Sequence, residues 1–442
     1  MSTATTAAAP TRQARRARAA IATLFLTNGA IYFNIVPRYP EIKTELGLSN
    51  AALGAAIAAF PVGALLAGLA AGVVIRRFRS SRTGAFGIIL TTAATLAVAV
   101  APNAWTLAAA LFVVGCLDSI VDVAQNAHGL RVQRLYSRSI VNSLHGVWSI
   151  GAVLGGLMGS AAAGLSLPLH LHLTISAVLS SVVAVAAYRY LLPGADDTER
   201  VAATSAPEVA ASGSVPPDGT DHPSSAGSSP AGDTTGRASS GPSPVTPAAG
   251  ARRSPVSGGN AARMLAVLGV LAACGALVED AGASWGAVYM TGDLSTSAAL
   301  GGLAVVAMQT AMTIGRLTGD RVVDRFGQRT VVRAGGALAA IGMAAVLAVP
   351  SVPGTLAGFA LAGLGVATLV PAAMHTADEL PGLSPGTGLT VVSWLLRGGF
   401  LLSPPLIGLL ADRTSLRVGL LSVVAAGLIT VLLSRVLVQR TR

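Results

Sequence analysis

Apolar residues fill twelve stretches of this chain, each about 20 residues long, and short polar connections separate them. The stretches run approximately over residues 19–39, 51–75, 84–101, 104–127, 140–164, 167–192, 262–290, 298–318, 331–350, 353–376, 387–411 and 415–437. Each is long enough to cross a hydrocarbon core of roughly 30 Å as a helix. Breaks fall at Arg76-Arg77-Phe78-Arg79, Ala101-Pro102-Asn103, Leu167-Pro168, Pro350-Ser351-Val352-Pro353 and Pro381-Gly382-Leu383-Ser384-Pro385. The pattern predicts an all-α membrane protein with twelve transmembrane helices.

The pattern also repeats. Leu48-Ser49-Asn50-Ala51-Ala52-Leu53-Gly54 leads into the second stretch, and Leu294-Ser295-Thr296-Ser297-Ala298-Ala299-Leu300-Gly301 leads into the eighth. Arg77-Phe78 follows Gly54 by 23 residues, and Arg325-Phe326 follows Gly301 by 24. Matching order and spacing predict two six-helix repeats, an established transporter plan. Between them, residues 193–260 are rich in Ser, Pro, Gly, Ala and Thr. Such a segment buries too little apolar surface to offset its ordering entropy. The expected organisation is a cytoplasmic tail (1–18), a bundle (19–192), a disordered cytoplasmic linker (193–260), a second bundle (261–437) and a short cytoplasmic tail (438–442).

Composition agrees with a bilayer protein. The chain is 52% hydrophobic and 11% charged, where a soluble domain carries about 25% charged residues. A net charge of +11 would suggest nucleic acid in a soluble protein. Here the arginines alternate sides, so no nucleic-acid partner is expected. One set of connections holds Arg12, Arg15, Arg16, Arg18, Arg76, Arg77, Arg79, Arg82, Arg131, Arg134, Arg138, Arg321, Arg325, Arg329, Arg333, Arg435, Arg440 and Arg442. The other holds only Arg38, Lys43, Arg413 and Arg417. The positive-inside rule then places both termini in the cytoplasm of a multi-pass cell-membrane protein.

Polar residues inside the apolar stretches carry the candidate chemistry. Asp118, Asp122 and Asn126 lie four apart and form one stripe on a helix. A carboxylate at the centre of a membrane helix costs roughly 2.5–3.5 kcal/mol on insertion scales. Such groups face a cavity, a partner or a proton path. Asn142, His145 and Ser149 share a face of the fifth stretch and enter at matching depth. Asp122, Asn126, Asn142 and His145 are therefore expected to cluster. Asn126 and Asn142 read as a structural clamp; Asp118, the deepest acid, reads as functional.

Glu279 and Asp280 are adjacent and point about 100° apart, so one faces a cavity squarely, and Glu279 is the choice. Arg397 near the middle of the eleventh stretch is too costly to face lipid. It either pairs with an acid such as Glu279 or Asp118, or holds an anionic substrate group. Asn28, Asn34, Gln309, Trp148, Trp285 and Trp394 are able to hydrogen-bond or stack on a solute. His170 and His172 read as interfacial. Gly151, Gly155, Gly156 and Gly159 give the fifth stretch a surface for close helix packing.

These features together resemble the major facilitator superfamily of transporters. Asp324-Arg325-Phe326-Gly327-Gln328-Arg329 resembles that family's turn between even and odd helices. There the Asp caps a neighbouring helix, the Gly makes the turn and the Arg residues hold the cytoplasmic face. The first-half copy departs: Arg76 stands in the place of the Asp and Arg79 in that of the Gly. Arg38-Tyr39-Pro40-Glu41-Ile42-Lys43, Asp122 through Gly129, Ser143 through Ser149 and Pro404-Pro405-Leu406-Ile407-Gly408 resemble the MosC/YbjJ-like branch. The resemblance implies two pseudo-symmetric six-helix bundles, with helices 1, 4, 7 and 10 lining a central cavity. Asp118, Asp122, His145, Glu279 and Arg397 would then serve substrate binding or proton coupling.

The expected function is a monomeric secondary transporter working by alternating access, coupled to protons. A sugar-like or other polar metabolite is the expected solute; efflux of a drug or hydrophobic cation is the alternative. A receptor or scaffold that kept the fold is a third reading. No P-loop, nucleophile elbow or HExxH pattern occurs, so neither ATP-driven transport, an enzyme, a metal site nor a cofactor is expected.

Overall fold

The computed structural model describes residues 11–136, 139–196, 258–380, 383–384 and 386–437. Most of the expected linker and both extreme tails lie outside these residues. Twelve helical segments are long and apolar enough to span a membrane. They are α1 (Arg12–Glu45), α2 (Asn50–Phe78), α3 (Ser80–Ala99), α4 (Ala104–Gln133), α5 (Val141–Gly164) and α6 (Leu169–Tyr188). The second set is α7 (Ala261–Gly292), α8 (Ala298–Phe326), α9 (Gln328–Ala348), α10 (Val352–Asp378), α11 (Thr387–Arg413) and α12 (Leu416–Val436). An even number of crossings puts Arg12 and Val436 on one side, here called the terminal face.

Helix α1 starts at Arg12, seven residues before its apolar stretch begins. Thr11 caps it, its side chain accepting from the Ala14 amide. Ala14 and Ala17 are buried between arginines that point outward. The arginine-rich start thus belongs to the helix, because small residues at helical spacing give it a packed face. Pro37 breaks α1 into a 3-10 turn, Val36–Arg38, followed by the short helix Tyr39–Glu45. Helix α10 is likewise broken between Val366 and Leu369.

The two repeats pack alike. Within the first, α1 lies on α5, α2 on α4 and α3 on α6; within the second, α7 lies on α11, α8 on α10 and α9 on α12. Glycine sets the closest crossings. At Gly151 and Gly155 a side chain would run into the α1 backbone at Leu26 and Ala30, and at Gly156 it would press on Val306 of α8.

The repeats meet along α2 with α11 and α5 with α8. Their tightest contacts cluster at the face opposite the termini. Gly54 abuts the Pro404 carbonyl, Gly408 abuts that of Asn50, and Gly302 leaves no room between itself and Ser160. Asp412 of α11 reaches across to cap α2, accepting from the Asn50 and Ala51 amides at 2.8 Å each. Toward the terminal face the contact thins, and Gly146 of α5 approaches only the Leu317 side chain. Neither α4 nor α10 makes an extended contact with the other repeat. A cleft therefore opens on the terminal face and closes before the opposite one.

Candidate functional site

Helix α4 brings its polar stripe to the wall of this cleft. Asn126 donates to the Asp122 backbone carbonyl at 2.9 Å and to its carboxylate Oδ1 at 3.0 Å. The i, i+4 spacing stacks the two side chains on one face. His145 of α5 completes the chain, its Nε2 lying 3.1 Å from Asn126 Oδ1. The His145 ring also stands edge-on to Phe25 of α1, with centroids 5.4 Å apart. Asn142 behaves differently: it is exposed and makes no hydrogen bond among the described residues. It lies one turn nearer the terminal face than His145.

Deeper in α4, Asp118 interacts with the Asn28 side chain of α1 and feels the charge of Asp122. From the other repeat, the Arg397 guanidinium acts on the Asp122 carboxylate, as does His145. Arg397 makes no ion pair or hydrogen bond among the described residues, and it is exposed to the cleft. It forms no ion pair with Glu279, which pairs with Arg316, or with Asp118, and its charge acts on Asp122. Trp394 lies on the same face of α11 as Arg397, three residues earlier, and is 51% exposed.

Glu279 has a partner that the sequence reading did not single out. Arg316 of α8 pairs with it at 3.1 Å, the arginine side chain 36% and the glutamate 15% exposed. An arginine inside an apolar stretch was the available signal. Asp280 turns away into the protein and is buried, accepting from Ser284 Oγ at 2.9 Å. It lies near Ser403 of α11 and acts on Tyr32 and Tyr39 of α1. Asn28 Oδ1, Asp280 Oδ2 and Trp285 Nε1 have no hydrogen-bond partner among the described residues.

Several expected solute contacts fall elsewhere. Trp285 is fully buried among apolar residues. Asn34 is buried too, with its Oδ1 2.8 Å from His172 Nε2. His172 is therefore no interfacial residue. It also lies 3.3 Å from Arg38, which forks onto Glu41 at 2.6 and 2.7 Å and donates to the Leu167 carbonyl at 2.7 Å. This network satisfies the buried arginine and ties the α1 break to α6. Gln309 is buried in α8, while Trp148 packs edge-on against Phe33 with part of its ring open.

The turns after α2 and α8 differ as their sequences do. Gly327 ends α8 with φ +81°, and Arg79 ends α2 with nearly the same backbone, φ +71°. That region disfavours side chains, so Arg79 is strained. In the second copy Arg325 stacks on Phe326, Gln328 donates to Ala372 of α10, and Arg329 donates to Arg435. Asp324 is exposed and caps no helix among the described residues. In the first copy the capping acid comes from beyond α6. Asp196 accepts from the Ser80 amide at 2.9 Å and its hydroxyl at 2.6 Å, and pairs with Arg131 at 2.9 Å.

Twelve membrane-length helices in two like repeats around a charged cleft define a solute transporter of the two-bundle type. The family model described as Major Facilitator Superfamily matches residues 21–278 and 265–442, and the chain belongs to that superfamily. It is 28% identical over 410 residues to "Membrane protein MosC" of Rhizobium meliloti, covering 93% of this chain and 87% of MosC. It is 26% identical to "Uncharacterized transporter y4wD" of Sinorhizobium fredii, covering 93% of this chain and 97% of that one. The nucleoside transporter NupG superposes with a TM-score of 0.65 at 13% identity, covering 96% of this chain and 98% of that chain. An inward-facing, unoccupied bacterial homologue of the human lysosomal transporter Spinster gives 0.65 at 15% identity, covering 97% and 98%. The protein is a multi-pass membrane transporter of this superfamily.

Proposed function

We propose that this transporter moves a small polar organic solute across the cytoplasmic membrane by alternating access, with protons as the coupling ion. One observation carries the reading. Acids from α4 and a base from α11 face each other across a cleft that only one face of the protein leaves open. Opening the other face requires α2 and α11 to part, which would also change the distance between Asp122 and Arg397. A proton on Asp122 weakens that attraction, and the charge on neighbouring Asp118 bears on whether Asp122 takes one up, so protonation and rocking of the repeats are linked. Asp118 with Asn28, and Asp122 with Asn126 and His145, are the proposed proton-coupling groups.

Arg397 is the proposed anchor for an anionic or acceptor group of the solute. Trp148 and Trp394 offer rings for stacking. Most arginines lie on the terminal face, which supports cytoplasmic termini and a cleft open to the cytoplasm.

The test is flux in proteoliposomes, with solutes chosen by a metabolite thermal-shift screen on the purified protein. A pH gradient should drive uptake or release of the hit, and Asp118→Asn should uncouple it. Flux indifferent to the gradient, and unchanged in Asp118→Asn, would sink the coupled mechanism.

A further inference from the structure

We propose that the wall between α1 and α6 holds one anionic phospholipid, with its headgroup at the terminal face and an acyl chain along the groove below. The headgroup pocket has a volume of about 560 Å³ and is lined by Arg12, Arg16 and Arg189, with Tyr188 and Tyr190 at its rim. Three cations share this pocket with no acidic residue in its lining. Arg12 and Arg189 make no ion pair or hydrogen bond among the described residues. The Arg16 guanidinium lies over the Tyr190 ring, 6.0 Å from its centroid. Among the described residues no acid lines the pocket to offset these like charges, and a phosphate would do so through charge-assisted hydrogen bonds.

The pocket does not end at the headgroup level. Arg16 and Tyr190 also line a second cavity of about 450 Å³, walled by Ala19, Ala20, Thr23, Val183, Ala186 and Ala187. From Arg16 to Thr23 a helix descends about 10 Å, well into the acyl region. Small side chains on both helices leave that channel open to the bilayer. A basic pocket at the interface that continues into an apolar groove has the shape and polarity of a phospholipid, and basic pockets between membrane helices bind such headgroups. Free phosphate would fill only the upper part. The second repeat carries a basic pocket at a different place, between α9 and α12, lined by Arg329, Arg333 and Arg435.

The experiment is lipid titration of the purified full chain in detergent, read by native mass spectrometry and thermal unfolding. Phosphatidylglycerol, phosphatidylcholine and inorganic phosphate are the probes. Phosphatidylglycerol should bind at a 1:1 ratio and raise the unfolding midpoint; phosphatidylcholine should not. Each of Arg12→Gln, Arg16→Gln and Arg189→Gln should weaken that binding about fivefold. Ala186→Trp, which fills the groove and keeps every charge, should weaken it as much. The charge-matched control Arg77→Gln/Arg321→Gln/Arg325→Gln, away from the pocket, should leave it unchanged. Equal losses in the control, equal binding of phosphatidylcholine, or indifference to Ala186→Trp would each overturn the proposal. Competition by inorganic phosphate at the same concentration would reassign the pocket to a free anion.

Discussion

The two ends of the interface between the repeats are built from different materials. At the closed face, glycine and proline bring backbones together, and Asp412 of one repeat caps a helix of the other. At the open face, the repeats present Asp122, His145 and Arg397 to each other across a gap. Backbone contacts hold only at short range and switch off abruptly. Charges act over a longer range and still feel each other across the cleft. One end therefore works as a latch and the other as a tunable attraction.

The largest expected effect breaks the attraction. Asp122→Ala removes the carboxylate on which Arg397 acts and one of the two Asp122 acceptors of Asn126. Flux in proteoliposomes should fall about 100-fold while the unfolding midpoint stays close to the parent's. Unchanged flux would remove charge from the description of the open end.

Breaking the latch sterically comes next. Gly54→Leu forces a side chain into the Pro404 backbone, an overpacking that costs about 1–3 kcal/mol. The unfolding midpoint should drop, and thiol reagents should reach a Leu53→Cys probe in a chain lacking Cys116 and Cys274. Burial of that probe unchanged from parent would show that α2 and α11 do not form the closure.

Asp412→Ala tests the same latch more gently. Loss of a helix cap costs about 1 kcal/mol, so labelling of the Leu53→Cys probe should rise about fivefold. The smallest contrast sharpens the open end. Asn126→Ala removes three hydrogen bonds, two to Asp122 and one to His145, and should cost about 1 kcal/mol in thermal unfolding. Asn142→Ala should change it by less than about 0.5 kcal/mol; equal effects would restore Asn142 to the cluster.

What the sequence disclosed depended on how far apart the interacting residues lie in the chain. The spans follow from hydropathy, a local property, and the Asp122–Asn126 pair from helical spacing. His145 joined them because α4 and α5 are consecutive and antiparallel. Arg397 with Asp122 and Asp412 with Asn50 depend on how helices distant in the chain come together, and periodicity carries no such information. Trp285 and Asn34 misled for a related reason. Both are polar-capable residues in apolar helices, and only tertiary packing decides which side of the helix meets the cleft. The start of α1 was hidden by its arginines, which read as a tail although the alanines between them are packed.

Arg79 bears on how the chain is made as well as how it folds. Glycine would relax the backbone at φ +71°. It would also remove one of the four arginines, Arg76, Arg77, Arg79 and Arg82, from the connection after α2. During insertion the orientation of a nascent helix pair is set by the positive charge beside it, before any turn geometry exists. A residue poorly suited to the finished turn is well suited to choosing which side of the membrane that turn ends up on.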